Sequence, residues 1–556
     1  MEHSQKILAQ QVVSACLSFD VERVVISPGS RNAPLIIEFN AFDNIKKYSI
    51  VDERSAAFFA LGMAQKTRKP VALVCSSGSA LLNYYPAIAE AFYSKIPLVV
   101  ITADRPKHLI DIGDGQTIRQ EYVYQNHICF SANLDELNSE INYDILNTAF
   151  DTLKSRPGPI HLNVPFDEPL YKTTIEHLVE KSRWLKYKEE TLLTETPLEV
   201  DELEKFAEIW NTATRKMVLL GVSKPDAMLQ TQLEHIIKDP SVIVLTENTS
   251  NVTHLQFINS IDQAIFPLTD ELFDTYRPEI LLTFGGMVVS KKIKQLLRKN
   301  PPKQHWHVDR VEAMNTYHCL TKHFAVSPTL FFSQFFFLTK SKSSDYQQKW
   351  LQLKQRRALK HQEYIERATF SDLKVFDSIN RYVPEHISIQ FSNSSIIRYA
   401  QLFTWSKNLE IACNRGTSGI DGSTSTAVGV AVANKGQTLF ITGDLSFFYD
   451  SNALWNSYIP ISFRIIVINN GGGGIFRFIP GPTTTHTLDY FETPHQLTAE
   501  NLCKTHQISY ESVSDIVSLE EKLRIFFNDS KQAKLLEIFT PKETNAEILK
   551  AYFNNL

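Results

Sequence analysis

Short runs of β-branched and leucine residues recur along the chain, each breaking into a polar or glycine-bearing turn and then into a longer stretch with helical spacing. Arg23-Val-Val-Ile runs into Ser27-Pro-Gly-Ser30-Arg31, and Tyr48-Ser-Ile-Val runs into Asp52-Glu53-Arg54-Ser55 and an apolar helix over Ala56–Ala64. Val71-Ala-Leu-Val-Cys leads to Ser76-Ser-Gly-Ser, and Pro97-Leu-Val-Val-Ile-Thr leads to Ala103-Asp104-Arg105-Pro. Runs that are apolar throughout, rather than at every second position, are what strands covered on both faces require, as in a parallel sheet with helices on either side. The alternation returns at Lys216-Met-Val-Leu-Leu-Gly, Ser241-Val-Ile-Val-Leu-Thr and Ile280-Leu-Leu-Thr-Phe-Gly-Gly, and again from Thr438 onward. At the start, Ile7, Leu8, Val12, Val13, Cys16 and Leu17 fall on one helical face.

This pattern predicts an α/β protein of three doubly wound domains with mainly parallel sheets, spanning 1–175, 199–340 and 367–556. Tyr171 to Glu199 is charged and lacks strand signals, as a linker would. Lys340 to Ala368, rich in Lys, Arg, Gln and Glu, reads as a solvated connecting helix. The phenylalanine-rich stretch Leu330 to Leu338 is too short to cross a membrane and reads as core packing.

A length of 556 residues allows two to four such cores. The net charge of −4 argues against a nucleic-acid partner, so any anionic substrate must meet local basic residues. Six cysteines, none in a Cys-x-x-Cys pair, suggest neither a zinc site nor a disulfide framework and fit a reducing cytoplasm. The polar N-terminus lacks a signal-peptide core, and no integral membrane segment is expected.

The chemistry concentrates between Thr438 and Phe476. Thr438-Leu-Phe-Ile-Thr ends in Gly443-Asp444-Leu445-Ser446, and Phe463-Arg-Ile-Ile-Val-Ile ends in Asn469-Asn470 and four glycines. Ligands of open α/β sheets bind at the carboxyl ends of strands. There a carboxylate, an amide oxygen and glycine carbonyls offer the hard donors that Mg²⁺ takes together with phosphate oxygens, and glycine lets the backbone approach a diphosphate. Glu53, at a strand-to-helix junction, either complements the helix N-terminus or does chemistry, and the residue alone leaves both open.

Gly443-Asp444, a spacer and Asn469-Asn470 resemble the Gly-Asp-Gly, spacer, Asn-Asn motif of thiamine diphosphate (ThDP) enzymes, with Leu445 in the third place. More narrowly, the chain resembles the 2-succinyl-5-enolpyruvyl-6-hydroxy-3-cyclohexene-1-carboxylate (SEPHCHC) synthase family, MenD, of menaquinone biosynthesis. The resemblance rests on Ser27-Pro-Gly-Ser-Arg-Asn-Ala-Pro, Asp52-Glu-Arg-Ser-Ala-Ala-Phe, Thr102-Ala-Asp-Arg-Pro, Gln116-Thr-Ile-Arg-Gln, Asn414-Arg-Gly-Thr-Ser-Gly-Ile-Asp-Gly and the Tyr-Asp-Ser-Asn tail of Asp444 to Asn452.

That resemblance implies pyrimidine-binding, central and diphosphate-binding domains in that order. It implies a transferase that decarboxylates 2-oxoglutarate on ThDP and adds the resulting succinic semialdehyde unit, as its ThDP carbanion, to isochorismate. The metal would be Mg²⁺, with Mn²⁺ as an alternative, held by Asp444, Asn470 and the Gly472 carbonyl. Gly443, Leu445, Ser446 and Ile420 would complete the cofactor site, Ile420 holding ThDP bent. Glu53 would face N1′ of the aminopyrimidine and drive the tautomer that activates thiazolium C2. Ser30, Arg31, Arg105, Gln116, Ser394, Arg398 and Arg415 match substrate-binding positions, as do Lys291 and Lys292 in the central domain, and Ile475 and Phe476 match apolar residues beside the reacting carbons. The family also implies a homodimer at least, with a homotetramer expected.

One departure is visible: family members can carry three asparagines before the glycines, and this chain has two followed by four glycines. Two other readings compete. An acetolactate synthase-like ThDP carboligase would not need so many arginines for apolar 2-oxo acids, and an NAD or FAD module would want a Gly-x-Gly-x-x-Gly after its first strand, which the chain lacks.

Overall fold

A computed structural model describes residues 2–184, 195–478, 481–484 and 486–556. Among them, three parallel sheets form three α/β units. The first sheet runs, edge to edge, Lys46–Ser49, Arg23–Ile26, Val71–Cys75, Leu98–Asp104, Pro159–Pro165 and Phe130–Asn133. The third runs Glu410–Cys413, Ser388–Phe391, Thr438–Gly443, Phe463–Asn469, Lys534–Phe539 and Ser509–Val513. Numbered by chain order within each sheet, both have the order 2-1-3-4-6-5, a duplication of topology without a visible repeat in sequence. The second has five strands, Val242–Leu245, Lys216–Leu220, Ile280–Phe284, Gln304–Val308 and Lys322–Phe324.

In each sheet the strand order reverses between its first and third strands, and the crevice at the carboxyl ends there is the natural ligand site. Arg23–Ile26 and Val71–Cys75 flank it in the first sheet, Ser388–Phe391 and Thr438–Gly443 in the third.

The first and third units share one apolar core, in which Ala56–Ala64 of the first packs with Ala427, Phe440 and Val467 of the third. Its spine is the helix pair Glu53–Thr67 and Ser423–Ala433. Two glycines let their backbones touch: a Cβ on Gly62 would stand 2.1 Å from the Thr426 carbonyl oxygen, and one on Gly429 would stand 2.1 Å from that of Phe59. The second unit docks on the third through Asn251, whose amide nitrogen donates to the Ile411 carbonyl and whose oxygen accepts from the Ile411 N–H, both at 2.8 Å.

The strand expected at Tyr48-Ser-Ile-Val is Lys46–Ser49, and its helix begins early, at Glu53, because the Asp52 side chain accepts the Ser55 N–H and caps it. Within the stretch read as a linker, Thr173–Thr174 pairs antiparallel with His3–Ser4, while residues 185–194 lie outside the described residues. The connecting helix is Tyr346–Arg367. In the phenylalanine-rich stretch Phe331, Phe332 and Phe335 are buried, and among the described residues no helix is long and apolar enough to cross a membrane.

Candidate active site

Asp444 follows the last residue of its strand and is buried. Oδ1 accepts the Leu445 N–H at 2.7 Å and Oδ2 the Gly472 N–H at 3.0 Å, so the two strand-end loops are tied through this carboxylate. Asn470 follows the neighbouring strand and donates its Nδ2 to Asp372 Oδ2 at 3.1 Å. That contact turns Asn470 Oδ1 the other way, where it is buried without a hydrogen-bond donor. Asp372 is held by Thr540 Oγ1 and Asn545 Nδ2 at 2.6 and 2.9 Å, and burial pushes its carboxyl up to about 6 against those bonds. An orphaned amide oxygen beside a fixed carboxylate fits a hard cation, since an unsatisfied buried acceptor otherwise costs about 1–3 kcal/mol.

The glycine run bends sharply where side chains cannot follow. Gly472 has φ +147°, and a Cβ there would meet the Glu492 carbonyl at 2.6 Å. Its own carbonyl accepts from the Gly474 N–H at 2.9 Å, which uses one of its two lone pairs. His495 Nε2 stands 3.4 Å from Asp444 Oδ2 without hydrogen-bond geometry. Gly443, Leu445 and Ile420 are half-buried around Asp444, and the Ser446 hydroxyl donates to the Ile420 carbonyl at 3.1 Å. Ile475 is buried and Phe476 half-buried against Phe491.

A basic group borders this edge. Arg415 donates from Nη1 to Asn393 Oδ1 at 2.7 Å, and its buried Nε–H has no acceptor. Arg398 donates to the Ser394 carbonyl at 2.7 Å, and Ser394 takes φ +68° to turn the chain into that helix. Burial, then the Arg415 charge, lowers the Arg398 pKa. From the second unit, buried Glu247 and half-buried Asp262 face these guanidiniums. Burial pushes Glu247 up to about 7, while the N–H groups of Val289 and Ser290 stabilise its charged form at 2.7 and 2.8 Å. Burial also raises Asp262, opposed by the Ser290 hydroxyl and the charges of Arg398, Lys294 and Lys292. Lys292 thus belongs electrostatically to this group, together with Lys294, which the sequence reading missed; Lys291 is exposed.

On the first sheet, Ser30, Arg31, Glu53, Arg105 and Gln116 collect at or beyond the carboxyl edge. Arg31 is buried and donates to the Phe166 carbonyl at 2.8 Å and to Glu168 at 3.2 Å. Its pKa is lowered by burial and then by Arg105 nearby. The Nε–H of each of these arginines is buried without an acceptor. Ser30 and Gln116 are exposed, Gln116 with φ +54°. Among the described residues, Glu53 Oε2 accepts only a 3.4 Å contact from Asn83 Nδ2. Its neighbours are fastened to the third unit, Asp52 to Asn452 at 2.7 Å and Arg54 to the Tyr449 carbonyl at 2.9 Å.

Glu90, which nothing local marks out, joins the two halves. Its buried carboxylate accepts the N–H groups of Gly416 and Thr417 at 2.7 and 2.6 Å, fixing the loop that carries Arg415. A cavity of about 210 Å³ opens beside it at the meeting of all three units, lined by Lys95, His307, Asp309 and Arg415. A concavity of about 1090 Å³ lies elsewhere, between the second and third units around Asn251 and Trp405. Within one chain, no hydrogen bond or ion pair among the described residues joins Glu53 to Asp444 or Asn470.

Residues 7–128 match the family described as thiamine pyrophosphate enzyme, N-terminal TPP binding domain. Over the whole length the chain is 51% identical to a 2-succinyl-5-enolpyruvyl-6-hydroxy-3-cyclohexene-1-carboxylate synthase of Flavobacterium johnsoniae, covering 99% of each chain. It is 50% identical to that of Christiangramia forsetii, covering 100% of this chain and 99% of the relative, and 39% identical to that of Porphyromonas gingivalis, covering 96% and 94%.

Proposed function

Because the chain belongs to the SEPHCHC synthase family, a family of ThDP-dependent transferases, we propose that it decarboxylates 2-oxoglutarate and joins the remaining four-carbon unit to isochorismate. The observation that carries the metal and diphosphate half of this reading is the buried, donorless Asn470 Oδ1 beside Asp444. Mg²⁺, with Mn²⁺ as the alternative, would take these two oxygens and the free lone pair of the Gly472 carbonyl, with Gly443, Leu445, Ser446 and Ile420 around the cofactor. Residues 367–556 would then be the diphosphate-binding domain, 1–175 the pyrimidine-binding domain and 199–340 the central domain.

Bound there, ThDP supplies the electron sink that lets a 2-oxo acid lose CO₂ and its former carbonyl carbon act as a nucleophile. Glu53 holds a proton at the pyrimidine ring, a role that its nearly unengaged carboxylate leaves open. Arg31, Arg105 and Arg415 each keep a buried N–H without an acceptor, and a substrate carboxylate meets that need with charge-assisted bonds. Three such donors favour dicarboxylates over the apolar 2-oxo acids of an acetolactate synthase-like enzyme. Ser30, Gln116, Ser394, Arg398, Lys292 and the more exposed Lys291 would contribute at the rim, with Ile475 and Phe476 against the reacting carbons. Six free cysteines fit a cytoplasmic enzyme.

The test is turnover of 2-oxoglutarate with isochorismate, with and without ThDP and Mg²⁺, the product identified by mass. Formation of the joined product only when both are present is expected. Equal turnover of pyruvate pairs, or product without ThDP, would refute the reading.

A further inference from the structure

Seven residues beyond Arg31, on the helix Ala33–Asn40 that leads away from the carboxyl edge, Glu38 is fully buried at 0% exposure. Among the described residues, the basic side chains within ion-pair distance of its carboxylate are histidines rather than lysine or arginine. Oε1 is 2.9 Å from His3 Nδ1 and 3.8 Å from His177 Nε2, and Oε2 accepts the Ser4 N–H at 2.9 Å. The three ligand-type atoms lie within 4.8 Å of one another. The two imidazoles meet edge to face with centroids 4.9 Å apart, and Phe42 closes against both at 5.7 and 6.0 Å.

A buried carboxylate needs paired charge or a metal. Two imidazoles and one carboxylate form the donor set of zinc-class divalent ions, whereas Mg²⁺ takes oxygen alone. On a tetrahedral ion with bonds of about 2.0 to 2.1 Å, neighbouring donors sit about 3.3 Å apart. The two measured carboxylate–imidazole separations bracket that spacing, so side-chain movements of about an ångström suffice to bring all three donors onto one ion.

We propose that His3, Glu38 and His177 form a binding site for a zinc-class divalent transition-metal ion, with water in the fourth position. Such an ion clasps three separate pieces of the first unit: the strand His3–Ser4, the helix Ala33–Asn40, and the chain leaving the strand Thr173–Thr174 that pairs with the first. The site stands apart from the oxygen-rich one at Asp444 in both place and metal preference.

The test uses the full chain, purified without an N-terminal affinity tag and stripped with chelator. It is titrated with Zn²⁺ against a chromophoric chelator and, separately, with Co²⁺ to read the visible bands of four-coordinate cobalt. One Zn²⁺ per chain is expected, bound at least tenfold more weakly in His3→Gln and in His177→Gln, with Zn²⁺ raising the melting temperature of the wild type only. The two variants remove ligands from different segments, so a folding defect in one leaves the other decisive. No saturable binding, or the same stoichiometry and affinity in both variants, would overturn the site.

Discussion

Asp444 and Glu53 are both acids at strand ends, but their surroundings set them different tasks. Asp444 is buried and tied to two loops, while Glu53 carries one long, exposed contact. Asp444→Ala is therefore expected to abolish metal-dependent ThDP binding in calorimetry, and Glu53→Gln to keep ThDP affinity while losing turnover, because an amide cannot hold and return the carboxyl proton. Turnover in Glu53→Gln, or ThDP affinity unchanged in Asp444→Ala, would reverse those assignments. Glu90 holds the loop that carries Arg415, and would act on substrate only through that loop. Glu90→Gln puts an amide against two N–H donors and is expected to raise KM for a dicarboxylate by about tenfold, the equivalent of about 1.4 kcal/mol, with kcat little changed. An equal fall in kcat with KM unchanged would show that Glu90 supports the fold alone. Asp444, Asn470 and Glu53 stand out in the sequence because oxygen-bearing residues interrupt apolar runs there. Glu90 and Asp372 do not, because their partners are remote: Gly416 lies 326 positions from Glu90.

At the scale of elements, strands made of uniformly apolar runs were legible, as was the parallel architecture they imply. The strand Gln304-His-Trp-His-Val was not. His305 and His307 both pair with the hydroxyl of Thr283 on the adjacent strand, at 2.9 and 2.8 Å, and burial pushes both rings down to about 4, so a polar stretch becomes interior. The helix pair joining the first and third units depends on its two glycines. Gly62→Ala and Gly429→Ala are each expected to destabilise by about 1–3 kcal/mol through overpacking against a carbonyl, read as a lower melting temperature. Unchanged melting in both would mean that the helices separate freely.

Glu247 is expected to make the junction of the second and third units pH-sensitive. Its carboxyl rises from an ordinary 4.5 to about 7 on burial, so its contribution to stability is fully present below 4.5 and is lost as pH rises through 7. A loss on the order of 3 kcal/mol is expected over that interval, with Glu247→Gln flattening the profile in denaturant unfolding against pH. An identical profile in the variant would assign the dependence to another group.

In the whole molecule, two six-stranded units of identical strand order present two half-sites at their carboxyl edges, fastened to each other by Glu90, Asp52 and Arg54. The first unit carries Glu53 and the third Asp444, and among the described residues no hydrogen bond or ion pair within the chain joins these two side chains. We infer that a second copy completes each site, the pyrimidine edge of one chain facing the diphosphate edge of the other across a symmetric dimer. Topology of this kind is beyond sequence periodicity, which fixes strands but not which edges of two copies meet. Co-expressing Glu53→Gln and Asp444→Ala chains tests the arrangement directly. Each mixed dimer holds one doubly defective site and one intact site, so random pairing is expected to restore about a quarter of wild-type activity although each variant alone is inactive. Activity no higher than that of the separate variants, in a sample shown by mass to contain mixed dimers, would contradict it.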